Sequence, residues 1–171
     1  NKDGVYGDNT DPIGFEKSIA NRGLNNKPCL VLGAGGSARA VVYALTHMKC
    51  EIGIYNRTRE NAESLCSDLG VEATVLTEKT ISEFIRSSHL VVNTTSLGQQ
   101  KGEENNLIDF ENLNSSAHVY DLIYNPSKTT FLKHAEKNGC TVQNGLDMLI
   151  YQAAQSFNVW HDIMPEIDEE L

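Results

Sequence analysis

The chain has 171 residues, 40% of them hydrophobic and 22% charged, enough for one well-buried domain and tight for two. Its formal net charge of -9 argues against binding a nucleic-acid backbone, which selects an excess of Lys and Arg, and no apolar run reaches the length of a membrane span. The four cysteines, Cys29, Cys50, Cys66 and Cys140, show neither CxxC pairing nor metal-ligand spacing, so reduced thiols in a cytoplasmic protein are expected, with no metal.

The chain opens on Asn1-Lys2-Asp3-Gly4, without a Met or a signal-peptide pattern, and reads as the middle of a longer protein. Asp11-Pro12 predicts a helix start, with a carboxylate N-cap and Pro at the first helical position. Ile13, Phe15 and Ile19 give that helix an apolar side, and Gly23 ends it. Residues 29–32 predict a short buried strand, 33–36 a turn, and 38–48 a helix rich in small residues. A second strand is expected at 51–55, a helix at 58–69, and further strands at 72–76, 90–93 and 119–122. Residues 129–138 read as a helix, 140–142 as a last short strand, and 146–160 as a long apolar helix. The polar segment 99–106 is a surface loop or a mobile edge of a site, and Glu166, Asp168, Glu169 and Glu170 form a solvated acidic end.

Strands alternating with helices predict a parallel sheet, and short apolar strands without clean alternation predict cover on both faces. The stretch Val31-Leu32-Gly33-Ala34-Gly35-Gly36-Ser37-Ala38 sits between a predicted strand and a predicted helix. Gly33, Gly35 and Ala38 fill the small positions of a GxGxxG/A dinucleotide fingerprint. Gly33 would permit the tight turn, Gly35 the approach of a pyrophosphate, and Ala38 close packing of helix on strand. The helix start adds free N–H groups and a partial positive charge. The fold expected is therefore α/β and Rossmann-like: a doubly wound, mainly parallel sheet of about six strands with helices on both faces. Residues 1–171 form one dinucleotide-binding domain.

The second strand is followed by Asn56-Arg57-Thr58-Arg59, with no carboxylate where an NAD site holds the ribose 2′-hydroxyl. Arg57 suits a 2′-phosphate, and Thr58 can add a hydrogen bond, so NADP(H) is expected over NAD(H). Arg57 and Arg59 could equally be ordinary solvated surface residues.

Several motifs together resemble the shikimate dehydrogenase family. They are Gly7-Asp8-Asn9-Thr10-Asp11-Pro12-Ile13-Gly14-Phe15, the glycine turn with Asn56-Arg57-Thr58, Asn93-Thr94-Thr95-Ser96-Leu97-Gly98, Tyr120-Asp121-Leu122-Ile123-Tyr124-Asn125-Pro126, and Gly145-Leu146-Asp147-Met148-Leu149-Ile150-Tyr151-Gln152. The resemblance implies reversible reduction of 3-dehydroshikimate to shikimate with NADPH, in chorismate and aromatic amino-acid biosynthesis. It implies that Asp11 is the substrate-binding carboxylate partnering a catalytic Lys, and that Tyr124 and Gln152 contact substrate. Leu122 and Gly145 would lie near the nicotinamide, with Thr94 also on the cofactor. Gly33, Ala34, Gly35, Gly36 and Ser37 would line the pyrophosphate, and Asn56, Arg57, Thr58, Arg59 and Asn61 the adenosine phosphate. The family often carries Lys or Arg where this chain has Asn61, and Arg59 is the cation that could compensate. Gln99 stands where the family often has Met.

The motif carrying the catalytic Lys does not occur in this chain. Lys2, Lys27 and Lys128 lie in nothing like it. The expectation is a cofactor-binding half whose N-terminal substrate domain is missing, with residues 1–23 and 145–171 abutting that domain, and with catalysis incomplete in the isolated chain. Two alternatives stand beside it: a quinate/shikimate enzyme with relaxed cofactor use, and a non-catalytic dinucleotide-binding regulatory module.

Overall fold

The computed structural model of the chain describes residue 4 and residues 7–100 and 107–167. Six parallel strands form one sheet in the order β3-β2-β1-β4-β5-β6. The strands are β1 (Pro28–Leu32), β2 (Glu51–Tyr55), β3 (Thr74–Val75), β4 (Leu90–Asn93), β5 (His118–Asp121) and β6 (Thr141–Gln143). The helices are α1 (Asp11–Ser18), α2 (Gly36–His47), α3 (Arg59–Leu69), α4 (Ile81–Ser87), α5 (Thr130–Lys137) and α6 (Leu146–His161). The doubly wound, Rossmann-like fold expected from the strand–helix alternation is the fold observed.

Side-chain alternation along the strands splits the core in two. Cys29, Val31, Leu90, Val92 and Tyr120 face one layer, with Phe15 and Ile19 and with residues of α2, α3 and α6. Leu30, Leu32, Val91 and Val119 face the other, with Ile81 and Ile85 of α4 and Phe131, Leu132 and Ala135 of α5. All of these strand residues are fully buried. The order of burial was invisible in the sequence because both faces demand apolar residues.

Several boundaries differ from the sequence reading. Thr10, and not Asp11, is the N-cap of α1; Asp11 and Pro12 are its first two helical residues, and the Asp11 amide donates to Asn9 Oδ1 at 2.9 Å. Asp11 therefore complements the helix dipole without capping it. α1 stops at Ser18, and a separate 3₁₀ turn (Ala20–Arg22) runs to Gly23, whose φ of 62° closes it. α2 begins at Gly36, two residues before the predicted start, so the glycine turn feeds the helix directly. Helix α4 and a 3₁₀ turn (Phe110–Asn112) were not foreseen. α4 is short, and its sequence ISEFIRS mixes β-branched and aromatic residues, which weakens any helical signal. Residues 101–106 of the predicted loop and the acidic positions 168–170 lie outside the described residues.

Two close approaches fix α6 against the rest. A Cβ on Gly14 would lie 2.6 Å from the Met148 carbonyl oxygen and 2.9 Å from Gln152 Cβ, so α1 and α6 cross in backbone contact. A Cβ on Gly145 would overlap the carbonyl of Leu122, the residue that follows β5. Gly145→Ala is therefore expected to destabilise the protein by about 3 kcal/mol or more, since backbone, unlike a flexible side chain, cannot yield cheaply. Urea denaturation measures this, and a midpoint equal to the wild type would refute the close packing.

Candidate functional site

β1 and β4 are neighbours, but the chain leaves them toward opposite edges of the sheet. A crevice at the carboxyl ends of the strands is the place where such a sheet binds ligands. The glycine turn stands there. Gly33 has φ 110°, donates its amide to the Tyr55 carbonyl at 2.8 Å, and a Cβ on it would lie 2.5 Å from Thr94 Oγ1. Glycine at 33 is thus demanded twice, by conformation and by the loop after β4. Thr94 locks that loop on β1, both its amide and its hydroxyl donating to the Leu32 carbonyl at 2.9 and 2.7 Å. Gly35 and Gly36 differ: a Cβ on either meets no atom within 4 Å. Nothing in the protein's own packing requires a glycine at 35 or 36. Their open face adjoins the unpaired first amides of α2.

Two adjacent pockets flank this turn, with Thr95 and Ser96 in the walls of both, and together they make up a groove along the carboxyl ends of the strands. One, of about 290 Å³, is lined by Gly33, Tyr55, Asn56, Arg57, Thr58, Asn61, Thr95, Ser96, Leu97 and Leu107. The other, of about 350 Å³, is lined by Ser37, Thr94, Thr95, Ser96, Gln99, Leu122, Ile123, Tyr124 and Asn125. The groove therefore gathers most of the predicted cofactor residues: Asn56, Arg57, Thr58 and Asn61 at one end, and Ser37, Thr94 and Leu122 at the other.

At the first end, Asn56 Nδ2 donates to the Thr58 carbonyl at 2.7 Å and fixes the turn into α3. Thr58 is the N-cap of α3 without a capping bond from its hydroxyl. Arg57 is exposed and has no ion pair among the described residues. Arg59 is not part of the wall: its Nε lies 2.7 Å from Glu63 Oε1, one helical turn on. At the second end Tyr124 is half-exposed beside Leu122. Gly145 lies buried beneath Leu122, and packing alone accounts for a glycine there.

Asp11 and Gln152 stand elsewhere. Thr10 Oγ1 donates to Gln152 Oε1 at 3.2 Å and lies 2.9 Å from Ser156 Oγ, while Gln152 Nε2 donates to the Leu149 carbonyl at 3.1 Å. The start of α1 and the middle of α6 are thereby joined, with Asp11 half-buried at the junction. Neither Asp11 nor Gln152 lines the groove.

The groove's walls depend on residues to which the sequence assigned no role. Asn93 Nδ2 donates to Asp121 Oδ1 at 3.0 Å, and Asn93 Oδ1 accepts from both the amide and the hydroxyl of Thr95, at 3.0 and 2.7 Å. Asp121 also accepts from the Ile123 amide at 3.1 Å and from Thr129 Oγ1 at 2.6 Å. Asn93, Asp121 and Thr129 are all essentially inaccessible to solvent. Burial pushes the Asp121 carboxyl above its ordinary value, and the hydrogen bonds from Thr129, Ile123 and Asn93 pull it partly back. The available signal was a polar residue closing each of two apolar strands, Asn93 after LVV and Asp121 after HVY.

A family model described as shikimate / quinate 5-dehydrogenase matches residues 16–122, and one for the shikimate 5′-dehydrogenase C-terminal domain matches residues 145–169. The chain belongs to the shikimate/quinate 5-dehydrogenase family. A shikimate dehydrogenase (NADP(+)) of Caldicellulosiruptor bescii is 42% identical over 161 residues, covering 91% of this chain and 56% of that protein. A shikimate 5-dehydrogenase of Thermus thermophilus, solved with NADP(H) and shikimate, is 35% identical with a TM-score of 0.78, covering 92% of this chain and 58% of that one. A quinate dehydrogenase of Corynebacterium glutamicum in complex with NAD is 28% identical with a TM-score of 0.81, over 94% of this chain and 59% of that one. The chain spans under two thirds of the length of these family members.

The Asn93–Asp121–Thr129 network yields a pH-dependent prediction. A native carboxyl value raised above the unfolded one means the native state binds more protons, so stability falls as pH rises through the window that opens at the ordinary value of 3.8. Thr129→Val removes the largest hydrogen bond holding that value down, and widens the window. It also removes the N-cap of α5, which accepts from the Leu132 amide at 3.3 Å. The variant is expected to lose about 1–3 kcal/mol, with the greater loss at neutral pH and the smaller in mild acid. Urea denaturation at both pH values checks this, and equal losses would mean that the charge on Asp121 is irrelevant to the network.

Proposed function

We propose that the chain is the NADP(H)-binding half of a shikimate dehydrogenase, reversibly interconverting 3-dehydroshikimate and shikimate in chorismate and aromatic amino-acid biosynthesis, in the cytoplasm. The observation that carries this reading is the groove beside the start of α2: Gly33 and Ser37 stand on its walls, Gly35 and Gly36 between them have open space where a Cβ would be, and Arg57, exposed and without an ion pair among the described residues, lies at one end. An open face over amides that the fold leaves free is a cradle for a pyrophosphate. Asn56 stands where an NAD site would place a carboxylate, and Arg57, which follows it, suits a 2′-phosphate. The free thiols of Cys29, Cys50, Cys66 and Cys140 are consistent with a reducing compartment.

In this reading Gly33, Ala34, Gly35, Gly36 and Ser37 line the pyrophosphate, with the amides at the start of α2 as donors and the Gly33 amide committed to the Tyr55 carbonyl. Asn56, Arg57, Thr58 and Asn61 hold the adenosine phosphate, and Thr94, Leu122 and Gly145 shape the far end. A nicotinamide bound there would supply or accept the hydride. Tyr124, beside Leu122, presents a hydroxyl to a substrate at that end. Asp11 serves as the carboxylate that orients a Lys contributed from outside this chain and tunes its proton affinity for transfer at the substrate oxygen. Gln152, already tied to Thr10, would contact substrate from the same side.

The domain division belongs to the proposal. Residues 1–23 and 145–171 are assigned to the side that meets an N-terminal substrate domain in cis. Support comes from the relatives' greater length and from the outer face of α6 and the residues after it, where Phe157, Val159, Trp160, Ile163 and Met164 are exposed, Trp160 at 76%. A solvated apolar run of this kind marks a contact surface. The same division predicts that the chain alone binds cofactor and turns over no substrate. Robust shikimate-dependent reduction of NADP⁺ by it would refute that.

Gly35 provides the sharper test. Its φ of -86° suits any residue and a Cβ there meets open space, so Gly35→Ala should leave stability unchanged or raise it by up to about 1 kcal/mol. The same methyl would stand where the pyrophosphate approaches, so NADP⁺ affinity should fall about tenfold or more by calorimetric titration. Unchanged affinity would return the glycine turn to a purely structural role. Parallel titration with NAD⁺ tests the cofactor: tighter binding of NAD⁺ than of NADP⁺ would favour the quinate-type alternative.

A further inference from the structure

The pocket at the start of α3 carries less positive charge than its neighbourhood could supply. Arg57 is the cation on its wall, and Asn61, the third residue of α3, is neutral. Arg59 opens the same helix, yet its guanidinium is engaged by Glu63 at 2.7 Å. Residues four apart share one strip of a helix surface, whereas Asn61, two residues from each, points to another. The Arg59–Glu63 pair therefore runs along α3 beside the pocket and does not reach into it.

We propose that Glu63 is a specificity-determining residue: by holding Arg59 on the helix surface it leaves the pocket a one-cation site and weakens its preference for a 2′-phosphorylated dinucleotide over the unphosphorylated one. The proposal rests on the reading of the groove as a dinucleotide site. Both partners are about half exposed, at 56% and 50%, and an exposed pair of this kind shifts an equilibrium only about twofold. The hold is soft, so a nearby dianionic phosphate competes with Glu63 for Arg59. A ribose 2′-hydroxyl offers no such competition, so affinity for the unphosphorylated dinucleotide is independent of Glu63.

The test is titration of NADP⁺ and NAD⁺ into the wild type, Glu63→Gln, Arg59→Gln, the double variant and Arg57→Gln. All three substituted positions are exposed. Glu63→Gln should tighten NADP⁺ by about twofold and leave NAD⁺ unchanged. Arg59→Gln alone should change NADP⁺ binding by less than about twofold, and the double variant should lose the gain. No gain in Glu63→Gln would overturn the proposal. So would a gain that survives in the double variant, since charge removal alone would then explain it. A loss of about fivefold or more in Arg59→Gln alone would also overturn it, because Arg59 would already serve the pocket. Arg57→Gln separates the two levels. A loss of about tenfold for NADP⁺ alone upholds the pocket assignment whatever Glu63 does, whereas no loss removes that assignment and the proposal with it.

Discussion

The buried hydrogen bond between Asn93 and Asp121 is the constraint on which the site depends. It joins the carboxyl ends of β4 and β5, residues already paired in register across the sheet. Each partner then spends its remaining capacity on the segment that follows it: Asn93 on Thr95, Asp121 on Ile123 and on Thr129 before α5. The two loops lining the far end of the groove are thus hung from one pair of side chains. A carboxylate without solvent is tolerated because three donors converge on it, and among the described residues no buried side-chain polar atom lacks a partner. A network of this kind is costly if half satisfied, which gives the loops one geometry in place of several.

On the proposed reading, a protein of net charge -9 receives a polyanion and has to build its attraction locally. The groove does so with few side-chain charges. At one end, α2 starts with amides that the fold leaves open; at the other, Arg57 stands beside the start of α3. Backbone dipoles are already oriented before the ligand arrives and lose no rotamer freedom on binding. Salt suppresses the field of exposed carboxylates more than a Debye length of about 8 Å away, so the local donors and Arg57 outweigh most of the distant negative charge at the groove.

The sheet and its crossovers were legible in the sequence because each strand is an apolar run bounded by turn residues, and each long helix has a periodic face. The groove was legible for a related reason: Gly33, Asn56 and Leu122 sit directly after strands, with Arg57 next to Asn56, where the fold places ligand-binding residues. What could not be read were choices among competing contacts, local and long-range. Arg59 and Glu63 look like free surface charges until the helix brings them together. Thr10, and not Asp11, is the cap because its carbonyl accepts the first helical bond, from the Gly14 amide at 3.0 Å. α4 is held by Ile81, Ile85 and Phe84 packing on the sheet, and Phe84 fits only because β2 has Gly53 opposite it. Tertiary contact, and not intrinsic propensity, makes that helix.

The glycines separate folding from function more cleanly than any polar residue here. Gly14, Gly33 and Gly145 each face an atom that a Cβ would strike, and a chain with no ligand at all would still need them. Gly35 and Gly36 face nothing, and Gly35 keeps an ordinary φ. A glycine costs conformational entropy relative to alanine, about 0.5–1 kcal/mol, so one that no contact or dihedral requires is a loss of stability with no structural return. The return has to come from something that occupies the open face. Fingerprint glycines are usually treated as one signal, yet in this structure they divide: the first is explained by the turn itself and by Thr94, and the second only by a ligand.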